Sequence, residues 1–158
     1  MFGDLSQKEI EDLLHQQIIG RIGCHADGTT YVVPITYAYD GQYVYGHTRE
    51  GMKLNLMRKN PNICFEVDSS HDVANWQSVI CWGEFEEVTK EPTRSQALQK
   101  LHDRILPVFS NVTSKLSPEW PFAPVDMAAI QGVIFRLHLI KKTGRFENST
   151  TPSFLAWG

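Results

Sequence analysis

The sequence predicts a mainly β protein: about six antiparallel strands in a closed or partly closed barrel, with short flanking helices. Three observations carry this. Short β-rich runs recur between turn signals, among them Ala26-Asp27-Gly28-Thr29 and Asp40-Gly41. Helical spacing is confined to three brief stretches. Some strands are apolar on both faces, as in Val79-Ile80-Cys81-Trp82, and a chain of 158 residues hardly covers both by itself. The expectation is therefore one domain over residues 1–158 with a second copy packed on one sheet face, a homodimer.

In chain order, Ser6-Gln7-Lys8-Glu9 fits a capping box ahead of Ile10, Leu13 and Leu14, so a helix is expected to end near Gln17. Strands follow over Ile18 to His25 and Tyr31 to Tyr39. Pro34 lies inside the second and cannot donate to a ladder, so it marks an edge, a bulge, or a place where the strand leaves its neighbour. Tyr43 to Thr48 reads as a strand and Arg49 to Met57 as a helix. Asn60-Pro61 breaks it before the strand ending at Val67. Asp68 to Asn75 reads as a polar loop, and Trp76 to Val88 as a long strand bent or bulged at Gly83. A helix from Thr93 carries Ala97, Leu98, Leu101 and Ile105 and is expected to stop at Pro107. Asn111 to Val125, rich in Pro and Trp, reads as an irregular packed lobe, and Ala129 to Thr143 as the last strand.

Composition excludes several classes. The 42% hydrophobic and 21% charged residues are ordinary for a globular protein. A formal charge of −3 and a pI near 6.0 leave no general nucleic-acid footprint, so any anion site is local. The acidic start MFGDLSQKEIEDLL does not read as a signal peptide, and no apolar run suits a membrane helix. Cys24, Cys64 and Cys81 are odd in number and scattered among strand residues. They read as buried free thiols of a protein in the reducing cytoplasm, not as a disulfide frame or metal site.

The informative stretch is Tyr37 to Val67. Gly46-His47-Thr48 ends a strand and Arg49-Glu50-Gly51-Met52-Lys53 opens a helix. A helix start has unpaired N–H groups and partial positive charge, which together suit a phosphate. Thr48 adds a hydroxyl, Gly51 admits close approach, and Lys53 adds a full charge. An ordinary capped helix with a solvated basic face has the same letters. Known catalytic signatures are missing: G-x-S-x-G, a Walker loop, G-x-G-x-x-G and H-E-x-x-H are all absent. The histidines show no ligand-like pairing. Only His47 is placed, beside the phosphate seat, for chemistry.

The run from Gly20 to Asp68 resembles the FMN-binding split-barrel superfamily of pyridoxamine 5′-phosphate oxidase-like proteins, most closely its nitroimidazole-resistance branch. The matching pieces are Gly20-Arg21, Tyr31-Val32-Val33-Pro34-Ile35, Tyr45-Gly46-His47, Gly51-x-Lys53, Asn60-Pro61 and Phe65-Glu66-Val67-Asp68. Ser78-Val79 with Gly83, and Ile140 to Gly144, also fit. The resemblance covers residues 18–90 well and residues 92–127 hardly at all.

It implies a six-stranded antiparallel split barrel with FMN held at a homodimer interface. Val32, Val33, Pro34, Ile35 and Thr36 would run along the isoalloxazine. Tyr45, Gly46, His47, Thr48, Gly51, Met52 and Lys53 would take the ribityl phosphate. Ser78 would reach the flavin from the partner's half, and Trp82 either packs near the ring or serves the core. No metal is implied. Met52 stands where the oxidases have a phosphate-binding arginine. Arg136-Leu137-His138 has the letters of their substrate motif without its surroundings, so oxidation of pyridoxamine phosphate is not expected. The activity implied is that of an FMN-dependent oxidoreductase, a nitroreductase acting on a small flat electrophile, with His47 as the catalytic side chain. A non-catalytic flavin carrier or sensor, and a haem-binding or haem-degrading relative, are the alternatives.

Overall fold

The computed structural model describes residues 1–109 and 131–149, with side chains through Ile105 and from Gln131 onward. The chain runs β1 (Phe2–Asp4), α1 (Gln7–Gln16), β2 (Ile19–Ala26), β3 (Thr29–Thr36), β4 (Ala38–Tyr39), β5 (Tyr43–Thr48), α2 (Met52–Lys59), β6 (Asn62–Asp72), β7 (Asn75–Glu87), α3 (Thr93–Phe109) and β8 (Val133–Glu147). All pairings are antiparallel, in the order β3-β2-β6-β7-β8-β5-β4, with β1 added to β8.

One extended stretch, Thr29 to Tyr39, supplies both ends of that order. Its first part pairs with β2 and its last two residues pair with β5. The sheet therefore curls until its edges meet in a single segment, and Tyr37 is the junction. The Tyr37 N–H donates to the Ile18 carbonyl at 3.0 Å, and its hydroxyl donates to the Leu14 carbonyl at 2.6 Å. The ring is buried edge-on to Phe65. Pro34 lies on β3, which among the described residues pairs only with β2, so its missing N–H falls on a strand that leaves its neighbour two residues later.

Eight strands replace the expected six, because Tyr37 divides one predicted strand and β1 was not anticipated. The stretch 68–75 is not a loop. β6 and β7 stay paired through Ser69↔Gln77 and Ser70↔Trp76, and only the tip turns. Its polar residues are strand residues on an exposed hairpin, where backbone pairing rather than burial holds the strand. α3 continues through Pro107 to Phe109, so the proline, which gives up its bond to the carbonyl four residues earlier, does not stop the helix where expected. β8 lies later than expected and contains Thr143-Gly144-Arg145. The irregular lobe expected at 111–125 falls outside the described residues.

The core fills the barrel. Ile22, Val44, Phe65, Val67, Val79, Cys81, Phe135 and Leu137 are fully buried, and Ile10, Leu13 and Leu14 of α1 close it. The capping box at Ser6 and Glu9 starts α1 as the sequence predicts. Arg104 donates to the carbonyls of His15 and Gln16 at 2.9 and 2.7 Å, fastening α3 to the end of α1. A second cluster lies outside the barrel, where Ala97, Leu98, Leu101 and Ile105 cover Ala38, Tyr45 and Ile134. The helix thus covers the β4-β5-β8 side. Among the described residues no helix lies on the outer face of β3-β2-β6-β7, which exposes Val32, Ile80 and Trp82, with Ile140 of the adjoining β8 beside them.

The irregularity expected at Gly83 is present as a register shift, with the extra residue on the facing strand β8 and not on β7 itself. Trp82 pairs with Lys141 and Gly83 with Leu139, leaving Ile140 as the extra residue of β8, 65% exposed on the surface.

Candidate functional site

The predicted site residues fall in three places. On β3, Val32 and Pro34 point outward while Ile35 is buried and Val33 packs against the core. Thr36 is half-buried at the strand end. On β7, Trp82 and Ser78 share the outer face, and the Ser78 hydroxyl donates to Glu66 Oε1 at 3.3 Å. The third group is the β5–α2 turn with His47, Thr48, Gly51, Met52 and Lys53.

The first two groups meet. Val32, Gly23, Cys64, Trp82 and Lys141 stand directly opposite one another across five neighbouring strands. Gly23 has no side chain, so this row becomes a trough of about 610 Å³ between Val32 and Trp82, extended by the bulged Ile140. Its walls are mostly apolar. Lys141 Nζ lies 5.3 Å from the Trp82 ring centre at one end. Farther along the face, Arg21 lies 3.4 Å from both Glu66 and Asp68. Burial, then the neighbouring Asp68 charge, raises the Glu66 pKa.

The β5–α2 turn is built differently from the start of α1. There Ser6 and Glu9 satisfy the first N–H groups. At α2 the N-cap is Gly51, with no side-chain capping bond. A Cβ added to Gly51 would meet nothing within 4 Å, and its φ of 172° is open to any residue. Neither backbone nor packing in the described chain therefore requires glycine there. Lys53, in the first turn, is half-buried, and burial lowers its pKa. Among the described residues it makes no hydrogen bond or ion pair. A desolvated ammonium at a helix start whose N-cap residue has no side chain has the chemistry to attract an anion.

His47 stands beside this helix start, half-buried, with Nε2 2.6 Å from the Gln131 carbonyl. A carbonyl only accepts, so Nε2 carries the proton. Burial lowers the His47 pKa, and the charges of Arg94, Lys53 and Arg49 lower it further, against the Gln131 bond. Thr48 is buried and its hydroxyl donates to the Arg49 carbonyl at 3.0 Å. Tyr45 is engaged elsewhere: its ring packs in the α3 cluster and its hydroxyl donates to Asp40 at 2.7 Å. Gly46 is buried over Phe135. Met52 is 54% exposed and supplies no charge in place of arginine.

Three contributors were not nominated from sequence. Arg94 comes from α3, in the stretch without resemblance, and its helix alone would not place it near His47. Gln131 and Gly132 precede β8, and their only signal was a glycine before an alternating run. Arg136 and His138, set aside above, are engaged elsewhere. Arg136 is paired to Glu86 and stacked 4.0 Å over Tyr43, and His138 packs on the same ring. Among the described residues no group of His, Cys, Asp or Glu could hold a metal, and no helix is long and apolar enough to cross a membrane.

An antiparallel barrel closed by one shared segment is the architecture of the split-barrel class. The chain belongs to the pyridoxamine 5′-phosphate oxidase family, whose model matches residues 6–144. It is 26% identical over 148 residues to an uncharacterised protein of Rhizobium meliloti, covering 89% of this chain and 92% of that one. Among solved structures it resembles an FAD-binding protein from Mesorhizobium loti. The identity is 30% and the TM-score 0.71, covering 94% of this chain and 99% of that one. It also resembles the FAD-binding protein from Mycobacterium smegmatis, at 28% identity and TM-score 0.61, covering 91% and 97%. A protein of Bacteroides thetaiotaomicron assigned to 5-nitroimidazole antibiotic resistance shares the fold at 19% identity and TM-score 0.72, covering 92% and 87%.

Proposed function

We propose that this chain is a flavin-dependent oxidoreductase that holds FMN by its phosphate at the β5–α2 turn and reduces a small flat electrophile of the nitroaromatic kind. The observation that carries the reading is Lys53, a half-buried ammonium without an ionic partner among the described residues, at a helix start that no side chain caps. A phosphate dianion supplies what both lack. Thr48, Gly51, Met52 and Lys53 would hold it, the last by charge and the others mainly by backbone and space.

A bound flavin supplies the electron transfer. The chain's own residues bind and orient it and exclude water. β3 offers Val32 and Pro34 on an outward, apolar surface, and the Val32–Trp82 trough continues that surface. A second copy seated on this face would cover Ile80, Trp82 and Ile140 and enclose the ring. This is the reason to propose a homodimer with the cofactor at its interface.

FAD is the second reading. The solved structures 30% and 28% identical to this chain are those of proteins named for binding it. The open space at Gly51 leaves room for a phosphate that continues into a diester. Titrating purified protein with FMN, FAD and riboflavin, followed by absorbance, separates the readings, and no uptake of any of the three would end both. NAD(P)H consumption with a nitroimidazole on flavin-loaded protein then distinguishes an enzyme from a flavin carrier.

A further inference from the structure

We infer that His47 is a positioning residue of the phosphate seat, acting as a fixed N–H donor that latches the end of β5 to the start of β8. The inference rests on the flavin-phosphate reading above and assigns a role within that site.

The geometry at the β8 entry carries it. Nε2 of His47 donates to the Gln131 carbonyl across 2.6 Å, between residues far apart in sequence. Gly132, next in the chain, has φ +103°, a conformation that favours glycine. A Cβ there would lie 2.8 Å from His47 Nε2 and 2.8 Å from the Thr48 carbonyl. The imidazole edge and the Thr48 backbone are thus both pressed against the Gln131-Gly132 peptide. The residues that follow Thr48 form the anion seat, so this contact fixes where the seat begins relative to β8.

The surroundings favour the neutral donor. Arg49 follows on the same turn, Lys53 comes from α2, Arg94 from α3, and the β8 side offers the Gln131 carbonyl with Ile134 as the paired neighbour. Three cations and a partly buried ring oppose imidazolium formation, and the ring proton that does exist is committed to a carbonyl.

The test compares His47→Gln with His47→Asn, because the glutamine amide reaches about as far as Nε2 whereas the asparagine amide reaches only about as far as Nδ1. Both remain polar, so folding is retained better than with alanine, and thermal melting checks it. Dissociation constants for FMN and for riboflavin are measured at pH 6, 7 and 8. The expected result is that Asn weakens FMN by about three- to tenfold, as for one lost hydrogen bond, and leaves riboflavin within about twofold. Gln restores FMN binding to within about twofold at each pH. Three results would overturn the inference while leaving flavin binding in place: equal FMN affinity for all three proteins, equal loss of FMN in Gln and Asn, or equal loss of FMN and riboflavin in Asn. Loss of all flavin binding by the wild-type protein would instead end the cofactor reading.

Discussion

Gly83 lies directly beneath the backbone of His138: a Cβ at position 83 would sit 2.0 Å from the His138 carbonyl oxygen and 2.8 Å from its carbon. Backbone cannot swing aside as a side-chain tip can. The close approach coincides with the bulge that pushes Ile140 out of β8, so one glycine sets both strand spacing and surface shape. Gly83→Ala should therefore lower stability by at least about 2 kcal/mol, read as a lower midpoint in urea unfolding.

Replacing Lys53 removes charge from the anion seat and little packing. Lys53→Ala should weaken FMN by about tenfold to a hundredfold, as expected for one charge-assisted contact, and change riboflavin by less than about threefold. Fluorescence titration of both ligands makes the comparison. Equal losses would place the phosphate elsewhere.

Ile140 is 65% exposed on the face where a second copy is proposed to sit. A polar substitution at an exposed site ordinarily changes stability by less than about 0.5 kcal/mol. Ile140→Asp should leave the folded chain intact by circular dichroism yet convert a dimer to monomer in analytical ultracentrifugation, with flavin lost on the way. A wild-type monomer that binds FMN tightly would contradict the shared-site arrangement.

The pH dependence of folding has a defined sign at His47. Its folded pKa lies below the unfolded value, so as pH falls through about 6.5 the unfolded chain takes up the proton first. Stability from this group is then complete above that pH and is lost as pH drops toward the folded pKa. Glu66, with a raised folded pKa, acts in the opposite direction at lower pH: its contribution is present below the unfolded carboxylate value and fades as pH rises through the folded one. The difference in urea midpoint between wild type and His47→Gln, followed from pH 7.5 to 5, isolates the histidine. Wild type should lose ground relative to the variant as pH falls.

Much of the architecture was legible because each element carries its own local chemistry. Ser6 and Glu9 wrote the start of α1, Asp40-Gly41 wrote a turn, and Gly83 marked the bulge opposite it. What was not legible depends on partners distant in sequence. The 68–75 hairpin looked like a loop because its residues are polar, and only pairing with Gln77 and Trp76 makes it strand. The division at Tyr37 follows from barrel closure, which no local pattern encodes. At the site, Gly51 and Lys53 were nominated from the logic of helix starts. Gln131 meets His47, and the charge of Arg94 acts on it, only through the tertiary fold. Tyr45 was nominated from the resemblance and shares the His47 face of β5, but its ring is taken up by the α3 cluster and its hydroxyl by Asp40.

The junction at Tyr37 has a topological consequence. Because one segment supplies both edge strands of the sheet, cutting the chain there would untether them from each other and leave two loose edge strands, each a template for pairing with other molecules. A cut at the Asp40-Gly41 turn would leave that segment whole, since Gly41 is exposed and touches no pairing in either edge. Circular permutants opened at Gly41 should therefore remain soluble where permutants opened at Tyr37 aggregate, although the two openings lie only four residues apart.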